Sequence, residues 1–268
     1  MKFPDYERVI YERNPLNEVL CQLRFPSILK ITEQQPVEFH EKLRNDYPNL
    51  TISRPLQLSP QNLLPGLDNK VFESLQQMLA SETAYTFTTD DQRWKVSLTK
   101  DFIALSTNKY KKYEEFRERL QSITELFESI YKPSSYIRIG LRYQDLILPS
   151  TLGMKPEWKR LIQKQLISEL YLEEFDNSVK SFEKLIVLEF ELGKANLRHG
   201  IVIINEPSRN LVNEPAYMID IDFFTDDKIK GIENAYRHLD NFNKLSGKLF
   251  RWSITDELHN LLNPQQPD

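Results

Sequence analysis

The chain has 268 residues, 40% hydrophobic and 28% charged, with 35 Lys and Arg against 39 Asp and Glu. Such a chain can bury a sizeable core without disulfides or structural metals. The single cysteine, Cys21, excludes an internal disulfide and any zinc site of two or more thiolates, and seven glycines leave no room for a glycine-rich phosphate loop. A net charge of −4 disfavours bulk nucleic-acid binding, which draws on a basic excess. No stretch approaches 18 consecutive apolar residues, so no membrane helix is expected. Residues 1–7 lack the apolar run of a secretory leader, and the cytoplasm is the expected compartment.

The first strand is predicted over Glu18–Phe25. Val19, Cys21, Leu23 and Phe25 fall on one face, and Leu20, Gln22 and Arg24 on the other. Asn14-Pro15 turns into it and Pro26 stops it. Residues 36–47 read as a short helix with Val37, Phe39 and Leu43 apolar and Pro36 in the first turn. Four prolines between residues 48 and 69 make that stretch a loop with at most a short strand, and a short helix is allowed near 71–79. Ala84–Thr88, Arg93–Thr99 and Phe102–Ser106 form a strand meander, turned at Asp90-Asp91 and Lys100-Asp101. Tyr113–Tyr131 is a helix, because Tyr113, Phe116, Leu120, Ile123, Phe127 and Ile130 recur at steps of three and four. Tyr136–Leu148 is a long strand closing at Pro149.

The second half repeats this grammar. A helix is predicted over residues 156–172, then strands over Leu185–Leu192, Leu197–Ile204 and Tyr217–Phe224, with a hairpin turn around Gly193 and Asn196. Lys230–Leu249 is a long helix, and Thr255–Leu262 a terminal one with Thr255 as N-cap. The fold class is therefore α+β, in two degenerate halves, 1–149 and 150–268. Each is a mostly antiparallel meander followed by a long amphipathic helix, and together they make one compact unit. No repeat is visible at residue level.

Three stretches carry a family resemblance. Asn14-Pro-Leu-Asn-Glu-Val-Leu-Cys-Gln-Leu-Arg-Phe-Pro26, Arg138-Ile-Gly-Leu-Arg-Tyr143 and Ile254-Thr-Asp-Glu-Leu258 together resemble the signatures of a sporadically distributed bacterial and archaeal family of unknown function, about this long. The resemblance spans nearly the whole chain. It implies no catalytic residues, and the patchy distribution implies horizontally moving genes of the defence or toxin–antitoxin kind.

Two sets of strand residues are candidate sites. Gln22 and Arg24 share one face of their strand, and Arg138, Gly140 and Arg142 one face of theirs. Neighbouring strands would join them into a cationic platform for a carboxylate or phosphate, with Tyr143 nearby and open space above Gly140. The alternative is that the arginines pair with Glu18, Asp145 or helix acids. Glu189 and Glu191 on one strand, and Asp220 and Asp222 on an adjacent one, would form a carboxylate cluster for Mg²⁺ or Mn²⁺. The alternative there is neutralisation by Lys95, Arg198 or the Arg138–Arg142 pair.

Other chemistry is less well supported. His40, His199, His238 and His259 show neither zincin spacing nor a nucleophile motif, and Cys21 falls on an apolar face. Lys109, Lys111 and Lys112 interleave with Tyr110, Tyr113 and Phe116, a pattern that can stack bases, although the spacing puts Tyr113 and Phe116 in the core. The expected function is a non-enzymatic binding or regulatory protein, without cofactor, taking a protein partner or a small anionic ligand on a sheet face. The rival is a metal-dependent hydrolase or nuclease using the acidic strands.

Overall fold

A computed structural model describes residues 3–53, 83–175, 178–206 and 211–267. The helix allowed near 71–79 lies outside the described residues. The N-terminal arm carries β1 (Ile10–Tyr11) and leads into β2 (Leu16–Arg24). Two short helices follow, α1 (Lys30–Glu33) and α2 (Val37–Leu43), then β3 (Asn49–Ser53). The meander is β4 (Ala84–Thr88), β5 (Trp94–Leu98) and β6 (Phe102–Thr107), and α3 (Tyr113–Tyr131) succeeds it. Next come β7 (Arg138–Ile147) and the single turn α4 (Trp158–Leu161). A second meander, β8 (Phe182–Phe190), β9 (Gly193–Glu206) and β10 (Leu211–Thr225), precedes α5 (Ile232–Ser253). The chain closes with α6 (Asp256–Leu261) and β11 (Pro264–Gln265), which pairs with β1.

Nine strands form one antiparallel sheet in the order β3-β4-β5-β6-β2-β7-β10-β9-β8. The fold is mixed α+β, a large antiparallel sheet with helices. Four strands, β3 to β6, lie beyond β2 and three, β10 to β8, beyond β7, so the expected internal duplication is not shown. β7 bonds to β2 on one side and β10 on the other, so the sheet runs unbroken past residue 149.

Side-chain parity assembles the core. Val19, Cys21, Leu23 and Phe25 are fully buried on the inner face of β2, as the alternation predicts. Ile139 and Leu141 of β7 and Ile219, Ile221 and Phe223 of β10 continue that face. Both long helices pack on it. Phe127 of α3 meets Phe25 at 4.8 Å between ring centroids, and Phe242 of α5 stacks on Phe223 at 5.9 Å. The helices touch each other where Thr124 bonds the Tyr236 hydroxyl and the Tyr113 hydroxyl donates to Asp240 at 2.8 Å. Burial pushes the Cys21 thiol far above its ordinary range, which keeps it protonated and inert.

Two elements differ from the sequence reading. The helix expected over 156–172 is only α4 and a series of 3₁₀ turns. Ile162 is pulled into extended backbone by a bridge to Ile254, and the Gln163 amide donates to the Ser253 carbonyl, so tertiary pairing ends the helix after one turn. The β8–β9 turn is tighter than expected, with Gly193 at its exit. That residue has φ +150°, and a Cβ there would lie 2.3 Å from the Phe224 carbonyl oxygen. Among the described residues no helix is long and apolar enough to cross a membrane.

Phe127→Ala is expected to lower stability by about 3–5 kcal/mol. The measurement is urea unfolding, and an unchanged midpoint would place this ring outside the core.

Candidate functional site

The arginines do share the outer face of the sheet. Arg24 stands directly opposite Arg138, Gln22 opposite Gly140, and Leu20 opposite Arg142. Their charges are already spent. Arg24 reaches Asp101 at 2.9 Å, and Arg138 donates to Asp222 at 2.9 Å and to Gln22 at 3.4 Å. Arg142 grips Asp220 with two bonds of 2.7 and 2.6 Å. The cause is register: β10 lies beside β7 and sets Asp222 opposite Arg142 and Asp220 opposite Gln144. The space expected above Gly140 is filled by the Arg138 guanidinium, which a Cβ would approach to 2.6 Å. Burial lifts Asp222 above the ordinary carboxylate range, against the pull of Arg138, and the bonds to Asp220 raise Arg142.

The acidic set does not converge. β9 lies between β8 and β10, so Glu189 is two strands from Asp220 and Asp222, and Glu191 is not on the strand at all but in the turn after it. Glu189 stands opposite Lys194, and both glutamates are exposed. Among the described residues no group of three or more His, Cys, Asp or Glu is placed to hold a metal ion. Tyr143 also departs from its expected place, because odd-numbered residues of β7 point inward, away from the arginines.

That inner row holds a different feature. It reads Ile139, Leu141, Tyr143, Asp145, Ile147, with a carboxyl on an otherwise apolar or aromatic face. Asp145 is 4% exposed, and its side chain makes no hydrogen bond or ion pair among the described residues. It cannot pair with Arg142, which lies on the opposite face. Burial pushes its pKa well above the ordinary carboxylate range, and the Asp220 charge adds to the effect. The β2–β7 register shifts between Leu16 and Glu18, beside Asp145, so β2 bulges there.

Asp145 lines a cavity of about 490 Å³. Tyr143 and Asp145 come from β7, while Asn243, Ser246, Gly247 and Phe250 come from α5. The loop Tyr110–Lys112 and the first turn of α3 line another side, and the arm Tyr6–Tyr11 lines a third. The Tyr143 hydroxyl donates to Asn243 Oδ1 at 2.9 Å, and its ring meets Tyr110 edge-on at 5.7 Å. The Tyr11 hydroxyl lies 2.8 Å from His259 Nδ1. The arm is clasped by the β1–β11 pairing and by ion pairs of Arg8 with Glu114 at 2.7 Å and Lys248 with Asp5 at 3.0 Å. A second cavity of about 680 Å³ lies across Pro15, and its charged lining residues, Glu12 and Arg13, are both exposed.

The sequence held a signal for Asp145 in the single charge that breaks the apolar parity of β7. The bound partner of each outer-face arginine had no such signal, since it depends on which strand sits beside β7. No protein-family model matches the chain, and no curated protein matches it.

Removing Arg142 strands Asp220, which is only 8% exposed at its side chain. Arg142→Met is expected to cost about 1–3 kcal/mol, discounted because the guanidinium is partly solvated. Adding Asp220→Leu is expected to recover most of that loss. Urea unfolding of the four proteins of this cycle measures it, and a cost near zero for Arg142→Met would show the pair to be screened.

Proposed function

We propose that this protein is a binding or regulatory protein that takes a small ligand into the cavity over Asp145. One observation carries the reading: a buried carboxyl, without a side-chain partner among the described residues, lines a cavity of ligand size. The carboxyl is held out of bulk water but lines the cavity, so a bound group can supply the hydrogen bonds that the chain does not. Ligand pockets span roughly 300–1,000 Å³ and pair apolar or aromatic walls with a few placed polar groups, as here. Two of the stretches that carry the family resemblance pass through the cavity, for Asn14, Pro15, Leu16 and Tyr143 line it. The sheet-face siting is weaker, because its guanidinium forks are paired.

A thermal-shift screen tests this directly. Gly247 lines the cavity, and a Cβ built on it meets nothing within 4 Å, so Gly247→Leu starts its added bulk in open space there. A metabolite panel should contain a compound that raises the melting temperature of the parent and not of Gly247→Leu. No such compound, or hits that shift both proteins alike, would overturn the reading.

The burial of Asp145 has its own signature. In the folded chain Asp145 keeps its proton to higher pH than in the unfolded chain, where it ionises near pH 4. Between those two values the folded state binds the extra proton, so the stability that Asp145 contributes falls as pH rises. Asp145→Asn lacks this titration. Its stability relative to the parent is therefore expected to improve from about pH 4 toward neutrality, measured by urea midpoints across pH. A difference independent of pH would show that Asp145 is solvated or paired.

A further inference from the structure

Resting on the cavity reading, we propose that the ligand is a nucleoside polyphosphate, held with its base on Asp145 among tyrosine rings and its phosphates at a lysine-lined mouth. Three features of the cavity each select one part of that molecule.

The first is the carboxyl. Asp145 needs a hydrogen-bonding partner, and nucleobases present N–H donors beside ring nitrogen or carbonyl acceptors. A carboxylate accepts from such an edge, and a carboxylic acid both accepts and donates. Ser246, 4% exposed, lines the same space, and its hydroxyl has no partner among the described residues.

The second is the wall. Tyr11, Tyr110, Tyr143 and Phe250 line the cavity with aromatic surface. Flat rings stack on such surface whatever the base. Tyr110 belongs to the Lys109–Tyr113 segment, a sequence pattern that can stack bases although its spacing puts Tyr113 in the core.

The third is the charge at the mouth. Arg8 is taken up by Glu114, Lys248 by Asp5 and Arg251 by Asp256. Asp240 is taken up by Tyr113 and Arg117, and Glu7 accepts from Gln266. Lys111, Lys112 and Lys244 are exposed and make no salt bridge among the described residues. Lys112 is also the N-cap of α3, a 19-residue helix whose N-terminus has no side-chain cap. Its first turn carries Glu114 and Glu115, and the Glu114 carboxylate takes a backbone amide and Arg8 there, so the phosphate contact falls to the lysines. An organic cation would satisfy Asp145 and the rings but face three unpaired lysines. A simple anion would satisfy the lysines and leave Asp145 alone. A nucleotide satisfies both ends.

The test is calorimetric titration of the full chain with ATP, GTP, CTP and UTP, and with the nucleosides and inorganic tripolyphosphate as probes of each end. At least one nucleotide should bind at least tenfold more tightly than its nucleoside and than tripolyphosphate. Asp145→Asn should weaken that nucleotide tenfold or change the preferred base, and leave tripolyphosphate binding unaltered. A triple variant, Lys111→Gln with Lys112→Gln and Lys244→Gln, changes exposed residues only. It should weaken the nucleotide, flatten its salt dependence and spare the nucleoside. Failure of all four nucleotides at millimolar concentration would overturn the ligand class. Tripolyphosphate binding as tightly as every nucleotide would do the same. In either case a panel compound lost in Gly247→Leu would leave the cavity reading standing. A nucleotide that binds Gly247→Leu as well as the parent would sink both.

Discussion

β2 and β7 run antiparallel at the centre of the sheet, and the pairing between them sorts every side chain of the middle strands to one face or the other. Period two leaves no freedom once a single residue is placed. With Cys21 inward, Leu141 and Ile221 on the next two strands are inward as well, and α3 and α5 close over that face. The same registration turns Gln22, Arg138, Arg142, Asp220 and Asp222 outward. Both the hydrophobic core and the charged outer face are consequences of one ladder of backbone bonds.

Much of this was legible in sequence because it is local. The alternation of Glu18–Phe25, the three-and-four stripe of Tyr113–Tyr131 and the Thr255 cap each need only a few neighbouring residues to read. Thr255 does accept from the Leu258 amide, as its position implied. What was not legible depends on strand order. Arginines two apart on one strand and aspartates two apart on another looked like two sites. Placing β10 beside β7, and β9 between β10 and β8, turned them into one charge network and left Glu189 and Glu191 apart at the edge. The truncated helix after Trp158 has the same origin, since the bridge from Ile162 to Ile254 joins residues far apart in the chain.

The outer face and the cavity show opposite solutions to the cost of burying charge. Asp220 is nearly as buried as Asp145, yet two bonds from Arg142 compensate it. His199 is fully buried, and desolvation lowers its pKa to about 4, so it stays neutral with one ring nitrogen bonded to the Tyr217 hydroxyl. Its other ring nitrogen, Nε2, is buried without a hydrogen-bond partner among the described residues, so neutrality and not full pairing accommodates this group. Among the described residues, Asp145 has no counter-charge and its side chain makes no hydrogen bond.

A carboxyl on the inner face at the end of the β2–β7 pairing, beside the bulge, is a local inconsistency in the apolar row of β7. Elsewhere β7 obeys its pattern closely, with Ile139, Leu141 and Ile147 buried on the inner face. An apolar residue at position 145 would have completed that row, and the neighbouring bulge at Leu16–Glu18 would have had less to accommodate. Inconsistencies of this kind concentrate where a function is being served at the expense of stability. The setting of Asp145 fits that account, because the group lies at a cavity instead of within packed side chains. The arm that lines the cavity is tied down by its pairing with the C-terminal strand, by ion pairs of Arg8 and Asp5, and by Phe3 and Tyr11 packed on the core. The carboxyl stands on a strand paired on both sides, so its position is set by the sheet and not by the arm above it.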